Sequence, residues 1–186
     1  MTKQDTGELL ARAAQSMLDA DDAKSVALLN MLLDQAPNCA EAYYLLGAQH
    51  AQSGEMTLAE HAFKHALQLS PELIMARFQL GQLLLVTSRN SEAIQTLLPL
   101  SEFTANAIGS YAGGLISIAN QQVALAISQL RAGLEKEQPL AALQADMQAL
   151  VIKLSDDGQV HQLLQSDIGD SPAGASMLLS NYSRYN

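Results

Sequence analysis

Apolar and polar positions along the chain recur at three- and four-residue spacing, the period of helices rather than of strands. The stretch YYLLGAQHAQSGEMTLAEHAFKHALQLSP, residues 43–71, reads as two helices, 40–53 and 56–69, joined at Gly54. Farther on, Leu140, Leu143, Met147, Leu150, Val151 and Leu154 form one apolar stripe, flanked by Gln144, Asp146, Gln148 and Lys153. That pattern predicts an amphipathic helix able to cover an exposed core edge. A short helix is expected near 159–166, carrying Val160, Leu163 and Leu164. Ser171-Pro172 then resembles a helix start, leading into Met177, Leu178, Leu179, Tyr182 and Tyr185.

Gly47 breaks the first of these helices in its middle, at a cost of about 1 kcal/mol relative to Ala. A repeat explains it. At an offset of 34 residues Pro37 maps to Pro71, Leu46 to Leu80, Gly47 to Gly81, Ala59 to Ala93, Phe63 to Leu97 and Ala66 to Leu100. Residues at one register that lack bulk, Gly47 and Ala59, let two helices approach closely, and Phe63 fills the space beside them. Gly47 is therefore read as a packing residue.

These residues resemble the tetratricopeptide repeat, whose pattern is W-x2-L-G-x2-Y, then A-x3-F, then P. Residues 40–73 carry Tyr43, Leu46, Gly47, His50, Ala59, Phe63, Ala66 and Pro71 at those places, with Tyr43 for the Trp and His50 for the Tyr. Residues 74–107 keep Leu80, Gly81, Ala93 and Leu97 but have Arg77 at the first aromatic place. Residues 6–39 retain Leu29, Leu32, Leu33 and Pro37, and residues 108–138 resemble a decayed fourth copy with Gly114, Ala126 and Leu130, closed by Pro139. The resemblance implies an all-α fold, a right-handed superhelical array of antiparallel helix pairs over residues 1–138. Residues 139–186 are then expected to form C-terminal capping helices and a tail, because repeat arrays need a terminal element with one polar face.

Two places depart from a regular array. Pro99 is expected to end its helix near Leu98, since proline removes a backbone donor and clashes with the preceding turn. The SEFTANA segment after it is read as an irregular joint, which bends the array or moves. The small residues from Gly109 to Gly114 then suit very close helix contact. Residues 103–130 contain no charge, yet Asn120, Gln121 and Gln122 interrupt the run. Two helices and a polar turn explain it better than a membrane span.

Composition narrows the function. Hydrophobic residues make up 48% and aromatics only 4%, so the core is aliphatic. A net charge of −9 argues against nucleic acid, which requires clustered Lys and Arg, and against an anionic membrane surface. The opening MTKQDTGELLARAAQSMLDADD reads as no export signal, and one cysteine, Cys39, excludes an internal disulfide. Both suit a cytoplasmic protein and an inert thiol.

Chemistry is sparse. His61 and His65 are four apart on one helix, but Glu60 precedes the first His, unlike the zinc-protease order, and solvent-facing polar residues are expected. His50 is expected as a packed ring, and His161 has only Asp156 and Asp157 near it in sequence. No phosphate loop, nucleophile elbow or carboxylate pair is present, so no catalytic residue, cofactor or metal is assigned.

The resemblance implies a concave groove lined by the first helix of each repeat. Its places fall on Glu41, Tyr44, Ala48, Ala51 and Gln52, then on Met75, Phe78, Gln82, Leu85 and Val86. The weaker copies contribute Leu10, Ala14, Met17 and Leu18, and Ala112, Leu115, Ile118 and Ala119. The Lys and Asn by which some relatives grip acidic C-termini are absent. A mostly apolar lining favours an amphipathic or extended apolar segment of a partner protein, with Tyr44 and Phe78 as anchors; these side chains could equally be core. The expected function is a non-enzymatic interaction scaffold or adaptor. Two rivals stay open: a small acidic chaperone resembling those of bacterial type III secretion translocators, and a self-associating protein whose tail fills the groove, within one chain or as a homodimer.

Overall fold

The computed structural model describes residues 6–138 and 140–157. The helix expected at 159–166, the start at Ser171-Pro172, the 177–185 group, His161 and Pro139 lie outside the described residues, as do the side chains of Asp156 and Asp157. Among the described residues there are nine helices and no strand. They are α1 (Thr6–Leu18), α2 (Asp22–Gln35), α3 (Ala40–Gln52), α4 (Met56–Leu69), α5 (Ile74–Val86), α6 (Asn90–Ser101), α7 (Ala107–Ala119), α8 (Val123–Leu134) and α9 (Ala141–Asp157). The chain divides into two compact units at Gln79–Leu80, within α5.

In the first unit α1 packs on α2 and α3 on α4, with α2 against α3. Its core joins Leu9, Ala13, Leu28, Leu29, Leu32 and Ala42, with Leu10, Leu33, Leu45 and Leu46 packed against them. In the second unit α6 packs on α7, α7 on α8 and α8 on α9. Helix α9 buries Leu143, Met147, Val151 and Leu154 along one side, while Ile152 stays exposed. Leu140 precedes the helix and is 37% exposed, so the apolar stripe starts three residues later than its spacing predicts.

One turn is built four times. Ala20, Gly54, Ser88 and Gln121 have φ of 55°, 77°, 59° and 60°. The next residue's N–H reaches back to the carbonyl five residues earlier: Asp21 to Ser16, Glu55 to His50, Arg89 to Leu84 and Gln122 to Ser117, at 2.8–2.9 Å. This is a left-handed helix stop that satisfies carbonyls left over by the first helix of each pair. Its recurrence fixes the period at 34, 34 and 33 residues. Only Gly54 adopts the left-handed region without a Cβ penalty, and only Gly54 is legible in the sequence.

The pairs close on glycine as well. A Cβ on Gly81 of α5 would lie 2.4 Å from Leu97 of α6, and one on Gly114 of α7 would lie 2.7 Å from Leu130 of α8. Residues 108–138, weak as a sequence copy, thus form a complete pair. This pair is tightened from the other side too, because a Cβ on Gly133 would meet the Tyr111 ring at 2.4 Å.

Helix α6 runs through Pro99 to Ser101 and does not stop near Leu98. Leu100 points into the core at 4% exposure, and the Ser101 hydroxyl donates to the Leu98 carbonyl at 2.8 Å. Burial of Leu100 holds the last turn despite the hydrogen bond that proline lacks. The joint that follows is tied down. A Cβ on Gly109 would lie 2.1 Å from the Phe103 carbonyl oxygen, so the loop backbone rests on α7 itself. The Asn106 side chain caps α7 by accepting from the Gly109 N–H at 2.8 Å. Lys136 donates to the Thr104 carbonyl and to the Ser110 hydroxyl.

Candidate functional site

The ten expected groove residues separate by exposure. Glu41 is exposed, and Tyr44, Gln52, Met75 and Val86 are half-buried. Ala48, Phe78 and Leu115 have no exposed surface, Leu85 has 1% and Gln82 has 3%. These five side chains are packed inside in this structure. The apolar anchor expected at Phe78 is a core residue, because the helix is buried around its whole circumference there. Every residue from Phe78 to Leu85 is buried.

Within the first unit the reachable members gather on α3 and the start of α5. Gln79 Nε2 donates to the Tyr44 hydroxyl at 3.3 Å and so links the two helices. The Tyr44 ring is also 6.3 Å from the Phe63 ring, tilted by 38°. Its position is therefore set from below by packing and from the side by an amide. Glu41 lies one turn earlier on α3, and its carboxylate accepts from the Cys39 thiol at 3.6 Å. Burial, chiefly, and the Glu41 charge raise the Cys39 thiol above its ordinary range, which keeps it a neutral, weakly reactive group. The face thus combines a phenol, an amide, a thioether and a carboxylate: groups that recognise main chain and apolar side chains. In the second unit Val86 is the half-buried member of the set.

Sequence reading missed Gln79. A signal existed: in IMARFQLGQLLLV two glutamines stand in a run, after Arg77, that is otherwise without polar side chains. Gln79 is 4% exposed, and its Oε1 has no hydrogen-bond partner; Gln49 on α3 is 1% exposed, with neither amide atom partnered. Buried amides of this kind are expensive unless something bonds to them.

His65 is exposed and packs tilted against Tyr43, ring centroids 4.2 Å apart and planes at 52°, and His61 is exposed. His50 is not merely a packed ring, since its Nδ1 is 2.6 Å from Glu55 Oε2 across the α3–α4 turn. Among the described residues no group of three His, Cys, Asp or Glu is placed to hold a metal ion. No helix among them is long and apolar enough to cross a membrane.

No family model matches the sequence, and no curated protein matches it. Solved structures do. The chain is similar to an O-GlcNAc transferase mutant from Thermobaculum terrenum, with a TM-score of 0.59 and 24% identity, over 70% of this chain and 27% of that one. It therefore spans about a quarter of the transferase (27%). It is also similar to a MamA double mutant from RS-1, with a TM-score of 0.59 and 19% identity, over 94% of each chain. MamA from residue 41 to its end, from Desulfovibrio magneticus RS-1, gives 0.59 and 20% over 90% of this chain and 98% of that one. At these identities the likeness is one of fold. The fold is all-α and tetratricopeptide-like, built of helix pairs in series.

Proposed function

We propose that the protein is a non-enzymatic scaffold that holds a segment of a partner protein against the first helices of its pairs. The observation that carries this reading is the Tyr44–Gln79 link, by which a buried amide on α5 fixes a half-buried phenol on α3. A half-buried aromatic held in place by an amide suits an extended chain, whose side chains need an apolar surface. Glu41 and the net charge of −9 favour a segment with basic character. The face consists of the reachable residues Glu41, Tyr44, Gln52 and Met75. Helix α9 serves as the cap of the last pair.

The test is affinity capture from lysate with wild type and with the double variant Tyr44→Ala, Met75→Glu. A protein retained by wild type and lost from the variant, with melting temperature and helical circular dichroism preserved, supports the scaffold reading. Equal capture by both, or no specific capture by either, overturns it.

A further inference from the structure

We propose that the second unit carries a docking surface of its own, built around Phe103, for a basic amphipathic segment of another protein. The surface shares no residue with the face on the first unit and does not depend on the scaffold reading. Phe103 is 60% exposed, the most exposed of the large apolar residues among those described. Leu98 is 53% exposed, and Pro99 is exposed beside it. A single exposed apolar side chain is ordinary, whereas a contiguous group is not. Helical geometry continues through Glu102, the C-cap of α6, at φ −71° and ψ −23°. Positions 98, 99, 102 and 103 therefore form one diamond on the last turn, since residues four apart on a helix are neighbours. Leu98, Pro99 and Phe103 occupy three of its corners, and Glu102 occupies the fourth.

The Phe103 ring is presented by a fixed backbone. Its N–H donates to the Leu100 carbonyl at 3.1 Å, and its carbonyl accepts from the Asn106 N–H at 3.2 Å. The same carbonyl rests on the bare Cα of Gly109, and the Thr104 carbonyl accepts from Lys136. An exposed aromatic ring on a backbone tied at both ends loses little freedom on binding, which is what an anchor residue requires.

Charge identifies the occupant. Lys136 is half-buried and directs its ammonium to the Thr104 carbonyl and the Ser110 hydroxyl. Its neighbours Glu135 and Glu137 are exposed, and the Lys136 contact brings their turn beside the loop that carries Phe103. With Glu102 they supply three exposed carboxylates at the edge of the apolar group. Among the described residues none of the three is in an ion pair. An apolar centre with an acidic rim matches a segment that carries Leu or Phe on one side and Lys or Arg beside them. An acidic partner is repelled, and a second copy of this chain, at −9, brings like charges together.

The probe is a synthetic amphipathic helix of Leu and Lys, titrated into the full-length chain, with a scrambled version and a Leu and Glu version as controls. Amide shifts should concentrate at 98–104 and 135–137, and binding should weaken as salt screens the charges. Phe103→Ser should weaken binding at least about tenfold. Glu102→Lys, which leaves the apolar residues in place, should weaken it severalfold. Tyr44→Ala, Met75→Glu should leave the affinity unchanged, so this surface and the scaffold face fail separately. Equal binding of either control peptide, full affinity in Phe103→Ser, or shifts lying away from these residues overturns the proposal. So does self-association that Phe103→Ser abolishes, because the occupant is then a second copy.

Discussion

The ring of Phe63 rests on the bare Cα of Gly47: a Cβ there would lie 2.7 Å from Phe63 Cδ1 and 2.8 Å from Cε1. The residue sixteen places after the glycine makes the same contact in the later pairs, Gly81 with Leu97 and Gly114 with Leu130. In the first pair Ala13 and Leu29 hold the equivalent places, both fully buried. One short residue on the first helix and one large residue on the second thus set the interhelical distance of each pair.

Gly47→Leu should therefore destabilise by ~1–3 kcal/mol through overpacking, and Ala59→Leu should do the same from the opposite helix. Gly47→Ala is a finer test. It gains about 1 kcal/mol of helix propensity but drives its methyl into a buried ring, so it should not stabilise. Urea unfolding of the three variants decides, and an unchanged midpoint for Gly47→Leu would refute the packing role.

Gly109 has no such side chain to push aside. Its neighbour is the Phe103 carbonyl, so Gly109→Ala must move loop backbone and should cost more than Gly47→Ala. Asn106→Ala, which removes only the cap, should cost about 1 kcal/mol. Comparing the two in one thermal-melt series separates close approach from capping.

The repeated turn offers stabilisation. Ala20, Ser88 and Gln121 hold a conformation that costs an L-residue roughly 1–2 kcal/mol. Replacing Gln121 or Ser88 by Gly should raise stability by about 0.5–1 kcal/mol, after the extra chain entropy of glycine is deducted. Gly54→Ala should do the reverse. A fall in melting temperature for both glycine variants would contradict this.

Tyr111 is fully buried, with its hydroxyl donating to Gln138 Oε1 at 2.6 Å. Burial, partly opposed by the Gln138 contact, raises its pKa above the ordinary 10. Above pH 10 the unfolded chain then loses a proton that the native chain retains. Unfolding becomes easier as pH climbs toward the raised native value, and below pH 10 this contribution is intact. Tyr111→Phe should cost about 1 kcal/mol at neutral pH and flatten the alkaline decline, as read from urea midpoints across pH 8–11. An equally steep decline in the variant would exclude Tyr111 as its source.

Phe78 and Tyr44 should part company in the same assay. Phe78→Ala opens a cavity in the core and should cost about 3–5 kcal/mol. Tyr44→Ala removes a half-buried ring and should cost clearly less while abolishing capture. Equal losses of stability would place Tyr44 in the core as well.

The sequence by itself determined the helix pairs, their spacing and the glycine that closes them. Each depends on local chemistry: apolar period, missing bulk, a turn glycine at 54. Tertiary structure alone decided which first-helix residues meet solvent. Phe78 and Met75 stand three apart at comparable hydrophobicity, yet one is enclosed and the other half-open, because burial depends on what packs from elsewhere in the chain. The same holds for Pro99, whose helix continues because Leu100 has a core to enter. It holds too for Ala20, Ser88 and Gln121, where packed helices on both sides impose a left-handed turn that their side chains would not choose alone.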